Sequence, residues 1–363
     1  MSHSYKRIAV KIGSNVLTRK DGALDITRMS ALVDQVAELR RAGIEVILIS
    51  SGAVASGRGE LKGIAPAHKM DSVDQRQLFS AVGQAKLINR YYELFREHGL
   101  HVGQVLTMKE NFGTRRHYLN QRNCMMVMLD NGVIPIVNEN DTISVTELMF
   151  TDNDELSGLI ATMMDVQALV ILSNVDGIFN GMPGEPGVEV IRQVEPDRDL
   201  REYIRTEKSG FGRGGMQTKC NIARKVADEG IEVIIANGRR EQVLVDLVLH
   251  PDSVVCTRFA PREGNVSSVK KWIAHSSGFA KGCIYLNEKA VEAVCGDRAV
   301  SILPVGVTRI EGDFEKDDLV GVMSPDGRNL GMGRAAYGSA EARKLLGRHD
   351  CKPLVHYDYL YLE

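Results

Sequence analysis

No Gly-Lys dipeptide occurs anywhere in the 363 residues, so the Walker-type phosphate loop is absent and any phosphate-binding lysine must come from another arrangement. No Cys-x-x-Cys pair exists either. Cys124, Cys220, Cys256, Cys283, Cys295 and Cys351 lie scattered, without a histidine at metal-ligand spacing, which excludes a disulfide framework or zinc finger and leaves reduced thiols. No apolar run approaches the length that spans a bilayer. Met1 to Arg7 lead straight into a short strand without a signal-peptide core, so neither secretion nor membrane insertion is expected, and the expected location is cytoplasmic. An excess of charge of one sign is missing too. A net charge of -2 exerts no global pull on nucleic acid or membrane, and an anionic substrate has to be captured by a local site.

What is present is an ordinary globular composition, 44% apolar and 25% charged, long enough for two domains. From Arg7 to about Phe259 short apolar runs alternate with amphipathic helical patterns, which predicts an α/β domain with about seven strands in an open, mostly parallel sheet covered by helices. The clearest strands are Ile8 to Ile12, Ile44 to Ile49, Val102 to Leu106, Val133 to Val137, Ala168 to Leu172 and Ile231 to Ala236. A helix shows its period in Ile26, Met29, Leu32, Val33, Val36 and Leu39, and Gly43 stands where a left-handed cap belongs. In such βα repeats the functional loops lie beyond the carboxyl ends of the strands, where Ser50 to Ala53, Asn138 to Asp141 and Ser173 to Asp176 fall. From Gly264 the pattern changes, through a polar stretch Asn265 to Lys271, into a glycine-rich segment of short β-like runs with an Asp326-Gly327 turn signal. The expected boundaries are a catalytic domain at 1–262, a linker at 263–280 and a small β-rich domain at 281–363. Residues 281–363 carry 11 Lys and Arg against 13 Asp and Glu, which argues against an RNA-binding module, normally basic.

The chemistry-bearing residues cluster in glycine loops and acidic loops. Gly210-x-Gly212-x-x-Gly215 fits the dinucleotide pattern, but it follows a charged helical stretch and not the first strand of a βαβ unit, so that reading fails. A helix follows these glycines, and its N-terminal N–H groups together with Lys219 can converge on an anion. Lys11 ends the strand Ile8-Ala9-Val10 beside Gly13; it is either an edge lysine turned to solvent or a second phosphate lysine. Asp152 precedes the period Leu156, Leu159, Ile160, Met163 and is placed to cap a helix, while Asp154 two residues later is placed to orient lysines. Asp152 is also the one candidate for holding the magnesium of ATP, with no further protein ligand assigned. Two unit charges at about 4 Å attract by roughly 4 kcal/mol at an effective dielectric of 20, enough to fix a lysine head.

Taken together, Val10-Lys11-Ile12-Gly13-Ser14, Ser50-Ser51-Gly52-Ala53-Val54-Ala55-Ser56-Gly57, Val137-Asn138-Glu139-Asn140-Asp141, Asp152-Asn153-Asp154-Glu155-Leu156-Ser157 and Gly214-Gly215-Met216-Gln217-Thr218-Lys219 resemble, in order and spacing, the glutamate 5-kinases of the amino-acid kinase superfamily, which end in a PUA domain. The resemblance covers nearly the whole chain. It implies the amino-acid kinase fold, Mg2+ with ATP, transfer of the γ-phosphate to the side-chain carboxylate of L-glutamate as the first step towards proline, feedback inhibition by proline, a homo-oligomer, and the downstream glutamyl phosphate reductase as a partner. RNA and membrane are not implied as partners. Carried over by position, Lys11 and Lys219 stabilise the phosphoryl group in flight and Asp154 organises them. Glutamate sits against Ser51, Gly52, Asn138, Asp141 and Asn153, with the aspartate on the α-ammonium and the Asn153 amide on the α-carboxylate. ATP contacts fall to Lys11, Gly13, Ser173, Asn174, Arg213, Gly214, Gly215, Met216, Gln217, Thr218 and Lys219. Two departures stand on the nucleotide side: Ser173-Asn174 where the family usually has Thr-Asp, and Arg213 where it usually has Thr.

Overall fold

Apolar runs of five to seven residues leave turns at glycine and resume as helices, and the elements follow that rhythm. In chain order they are β1 (Arg7–Ile12), α1 (Ser14–Leu17), α2 (Ile26–Arg41), β2 (Glu45–Ser50), α3 (Ala53–Glu60), α4 (Ser72–Arg96), β3 (His101–Thr107), α5 (Arg115–Asp130), β4 (Val133–Glu139), α6 (Asn153–Met163), β5 (Ala168–Ser173), β6 (Gln193–Val194), α7 (Met216–Asp228), β7 (Glu232–Asn237), α8 (Val243–Leu249) and β8 (Cys256–Phe259). This computed structural model describes residues 5–63, 70–113, 115–144, 150, 152–182, 185–200, 203, 215–251, 253–263, 272–273, 280–296 and 299–362. The chain separates into two units, Met1–Lys109 with Arg122–Gly264, and Glu110–Gln121 with Asn265–Glu363.

The first unit is built on an eight-stranded sheet in the order β3-β4-β2-β1-β5-β7-β8-β6. It is parallel except between β7 and β8. One strand more is present than the alternation predicts, because β6 is two residues long and carries no readable period. At the other edge β3 is not covered on both faces: Leu106 is 39% exposed. In the middle of the sheet β1 pairs with β2 and β5, so Lys11 lies between Ile49 and Ile171. Ile8, Val10 and Ile12 enter one hydrophobic cluster with Leu32, Val36 and Leu39 of α2 and Leu244 and Leu247 of α8. A strand alternates its faces, so Ala9 and Lys11 point to the opposite side, where α6 packs on β1. Gly43 closes α2 at φ 83°, as its position predicts.

α3 and α4 touch backbone to backbone. A Cβ at Gly57 would lie 1.8 Å from the Phe79 carbonyl oxygen, and one at Gly83 would lie 1.8 Å from that of Ala53. These two glycines seat α4 on α3 close enough for residues of its first turns to reach the carboxyl edge of the sheet.

The second unit carries β9 (Gly282–Leu286), α9 (Glu288–Val294), β10 (Val307–Gly312), β11 (Leu319–Met323), β12 (Asn329–Ala335), α10 (Ser339–Leu345) and β13 (Val355–Leu362). Its five strands run in the order β10-β9-β11-β12-β13, with β9 and β11 parallel and the other pairs antiparallel. Asp326-Gly327 forms the expected turn between β11 and β12, with Gly327 at φ 86°. Ile284, Leu286, Val320, Val322, Val355 and Leu360 form its core. Trp272 belongs to the same unit; its indole N–H donates to the Phe112 carbonyl at 2.8 Å, and the Arg115 guanidinium lies 5.6 Å from its ring. The polar stretch Asn265 to Lys271 lies outside the described residues.

Candidate active site

The carboxyl edge of the first sheet opens into a cavity of about 880 Å³. Its centre is a charge triad built by three elements. The Lys11 ammonium from β1 sits 2.6 Å from Asp154 Oδ1, and the Lys219 ammonium from the first turn of α7 sits 3.0 Å from Asp154 Oδ2. Asp154 is fully buried and lies in the first turn of α6, which is fixed because Asp152 caps that helix: its Oδ1 accepts from the Asp154 and Glu155 N–H groups at 2.8 and 3.0 Å. Burial pushes the Asp154 carboxyl up, but the two ammonium groups outweigh it and hold the carboxyl below the usual aspartate range. Burial, and then the charge of Asp154, push the Asp152 carboxyl up. The second oxygen of Asp152, Oδ2, is buried without a hydrogen-bond partner.

Around the triad stand uncapped helix ends. Gly52, at φ 104°, lets β2 turn sharply into α3, and Gly215 precedes α7; neither helix has a side chain on its first N–H groups. Ser51, Gly52, Ala53 and Val54 line the cavity, so the start of α3 presents backbone donors and the positive end of its dipole to it. Gly13 turns the chain out of β1 by donating to the Leu172 carbonyl at 3.0 Å.

The acceptor side is a polar network. The Asn153 side-chain N–H groups donate to the Ser50 carbonyl at 3.2 Å, to Ser51 Oγ at 3.0 Å and to Asn138 Oδ1 at 3.3 Å. Asn138 donates in turn to Gln84 Oε1 at 2.8 Å. From α4, the Arg76 guanidinium donates through Nε to Asp141 Oδ1 at 2.8 Å and through Nη2 to Glu139 Oε2 at 2.9 Å. Glu139 Oε1 accepts from Ser144 Oγ at 2.8 Å and from the Phe150 N–H at 3.0 Å. Burial, with the Asp141 charge behind it, pushes the Glu139 carboxyl up against the pull of those donors.

Lys11, Gly13, Ser51, Gly52, Asn138, Asp141, Asp152, Asn153, Asp154, Ser173, Asn174 and Lys219 are therefore brought to one cavity. Gly215, Met216, Gln217 and Thr218 form the cap and first turn of α7, outside its wall. Helix α7 starts at Met216, three residues before Lys219. Arg213 and Gly214 lie outside the described residues. Sequence reasoning missed five cations on the wall: Arg19, Lys20, Arg58, Arg76 and Arg239. Arg19 and Lys20 sit in a small hairpin closed by the bridge between Thr18 and Leu24. Arg76 stands three and four residues before the buried Phe79 and Ser80 of α4, a charged side chain on the buried stripe of that helix, which is the signal that could have found it.

Comparison with known proteins places this geometry. Residues 6–237 match the amino acid kinase family and residues 282–357 the PUA domain. The chain is 69% identical over 363 residues to a glutamate 5-kinase of Bacteroides thetaiotaomicron, covering 100% of both chains. It is 45% identical over 367 residues to a glutamate 5-kinase of Chlorobaculum tepidum, covering 100% of this chain and 99% of the other. Among solved structures, carbamate kinase of Giardia lamblia bound to AMP-PNP matches 72% of this chain and 100% of its own at a TM-score of 0.52 and 16% identity, a likeness of fold.

Proposed function

The chain belongs to the amino acid kinase family, and within it to the glutamate 5-kinases; from that premise we propose that its cavity transfers the γ-phosphate of ATP to the side-chain carboxylate of L-glutamate, giving glutamyl 5-phosphate, the first step towards proline. The observation that carries the reading is the pair of ammonium groups held on one buried carboxylate at 2.6 and 3.0 Å, facing the cavity.

In the reaction a carboxylate oxygen of glutamate forms a bond to the γ-phosphorus, the bond from that phosphorus to the β–γ bridging oxygen breaks, and ADP leaves. Both reactants are anions, so the barrier is electrostatic, and cations preorganised in a water-poor site lower it most. Lys11 and Lys219 supply those cations from opposite sides of Asp154. Because both share one acceptor, neither has to reorganise as charge shifts across the phosphoryl group. The uncapped N–H groups at the start of α3 face the acceptor carboxylate and keep it oriented. No covalent enzyme intermediate is required. Glutamate is held by Ser51, Gly52, Asn138, Asp141 and Asn153, with Asp141 as the anionic partner of its α-ammonium. ATP lies on the side of Gly13, Ser173 and Asn174, with the Gly215 to Lys219 segment towards its phosphates; the ATP contacts assigned to Arg213 and Gly214 rest on the family alone.

Magnesium fits this site as an ion carried by the nucleotide. Among the described residues no group of three or more His, Cys, Asp or Glu side chains is placed to hold a metal, whereas Asp152 offers one buried oxygen without a donor. Mg2+ characteristically takes one or two carboxylates and completes its shell with phosphates and water. Asp152 is the residue that would hold it, and the ion would neutralise charge on the β- and γ-phosphates.

The same reading includes inhibition by proline, homo-oligomeric assembly, a cytoplasmic location and passage of the acyl phosphate to glutamyl phosphate reductase, all of which rest on the family alone. It also includes a catalytic domain at 1–262, a linker at 263–280 and a PUA domain at 281–363. The test is direct: purified protein with MgATP and L-glutamate, in hydroxylamine, forms the hydroxamate of the acyl phosphate, and N-acetylglutamate or aspartate does not replace glutamate. Equal product from those acceptors, or none from glutamate, rejects the reading. Proline added to the same assay lowers the rate.

A further inference from the structure

Glutamate enters the cavity with three charged ends, and the α-carboxylate is the one whose partner the acceptor network leaves to be found. Asn153 is the expected donor. Its side-chain amide has two N–H groups, however, and three acceptors already surround it, the Ser50 carbonyl, Ser51 Oγ and Asn138 Oδ1 at 3.2, 3.0 and 3.3 Å. Two N–H groups shared among three acceptors leave that amide at most a part of the α-carboxylate, and room for a charged partner beside it. Lys11 and Lys219 are committed to Asp154. Of the remaining cations on the wall, Arg239 donates twice to the Asn15 carbonyl, at 3.2 and 2.7 Å, Arg58 lies 5.7 Å over the Phe79 ring, and Arg19 and Lys20 stand in the hairpin between Thr18 and Leu24, away from the Asp141 network.

Arg76 is placed differently. Its guanidinium contacts Asp141, the residue read as the partner of the substrate ammonium, and is held from behind by Glu139, which Ser144 and the Phe150 N–H fix in turn. In an α-amino acid the ammonium and the α-carboxylate hang from the same carbon. A cation beside the ammonium's partner is therefore beside the α-carboxylate. We infer that Arg76 anchors the α-carboxylate of the amino-acid substrate, its guanidinium passing from Asp141 to that carboxylate as the substrate ammonium takes Asp141 over. Glu139 is then a positioning residue: it keeps Arg76 at the cavity wall while the contact with Asp141 is exchanged. Arg76 thereby makes the site selective for free α-amino acids over acceptors whose α-carboxyl is blocked. This inference rests on the reading of the cavity as a glutamate site.

The test crosses a change in the enzyme with the same change in the substrate. L-Isoglutamine keeps the side-chain carboxylate and the ammonium of glutamate but carries a neutral α-carboxamide. For the wild type, glutamate is preferred; Arg76→Gln lowers kcat/KM for glutamate by roughly 10- to 100-fold, mostly in KM, which is the worth of one hydrogen-bonded charge pair. KM for ATP stays within about twofold, a change worth less than half a kcal/mol. Isoglutamine loses far less, so the preference collapses. Where its turnover is too slow to follow, its inhibition constant against glutamate gives the same ratio. Arg76→Lys restores part of the glutamate affinity. Loss of both substrates by the same factor, or an unchanged KM for glutamate in Arg76→Gln, overturns the inference and makes Arg76 a neutraliser of buried carboxylates only. Should Arg76→Gln fold poorly, with two carboxylates left unpaired, the double variant Arg76→Gln with Glu139→Gln removes that stress and is measured in its place. A wild type that forms no hydroxamate from glutamate rejects the underlying reading instead, before any variant is made.

Discussion

The two units treat charge in opposite ways. In the first, Lys11, Glu139, Asp141, Asp152, Asp154 and Glu229 are all buried; in the second, the buried polar residues among those described are Ser324 and Ser339, with no charged group. The ion pairs of the second unit lie outside: Arg309 with Glu311, Arg334 with Asp317 and Arg343 with Asp313. Removing a charge from water costs several kcal/mol per ion, and the second unit is built without that cost. The second unit shows that this chain can build a sheet without burying charge, which sets the buried charges of the first unit apart.

The sharpest way to break this comparison is Lys219→Ala. The substitution is expected to lower kcat about 100- to 1,000-fold, the usual loss when one preorganised stabilising group is deleted, while circular dichroism stays unchanged. Normal turnover would remove the lysine from the reaction. Next comes Asp154→Asn, which leaves two ammonium groups around a neutral amide and is expected to cost about 3–5 kcal/mol in urea denaturation. Its pH dependence has a definite sign. The folded carboxyl titrates below the unfolded value because Lys11 and Lys219 overcome its burial. Its contribution is complete above the unfolded value, about 3.9, and is lost as pH falls through the folded one. The wild type therefore loses melting temperature on acidification below that point, and Asp154→Asn lacks this component of the slope. Asp152 and Glu139, raised by burial first, run the other way and stabilise the fold as pH falls through their folded values towards the unfolded ones.

Gly83→Ala has a smaller expected effect. A Cβ 1.8 Å from the Ala53 carbonyl oxygen must push α4 from α3, an overpacking worth about 1–3 kcal/mol. Because α3 carries the cavity's backbone donors and α4 carries Arg76, KM for glutamate should rise with the loss of stability. An unchanged KM would show that the helix contact is structural alone. Smallest is Arg343→Ala in the second unit, whose partner Asp313 is open to solvent; turnover should be unchanged and the melting temperature nearly so. A large loss there would dissolve the contrast between the units.

The sheet and the triad were readable from the chain for one reason: both are written in local punctuation. Lys11 precedes a glycine turn, Asp154 follows a helix cap, and Lys219 follows a glycine run, so each sits at a boundary that the sequence marks. Arg76 shares the buried stripe of α4 with Phe79, Ser80 and Gly83, a stripe that reads as core in the sequence, and the approach of Gly57 and Gly83 sets its first turns at the cavity wall. The engaged state of Asn153 was equally hidden, since its acceptors come from β2, β4 and the loop after β2, brought together by strand order. The two-residue β6 lay below the length at which periodicity speaks, and nothing in the sequence marked the antiparallel direction of β8.

Trp272 is the sole tryptophan of the chain, and its indole is hydrogen-bonded and flanked by a guanidinium inside the C-terminal unit. Emission excited selectively at the indole band therefore comes from that unit alone, and a melt followed by fluorescence can be set against one followed by catalysis. The molecule carries its own optical label for asking whether its halves come apart together or in turn.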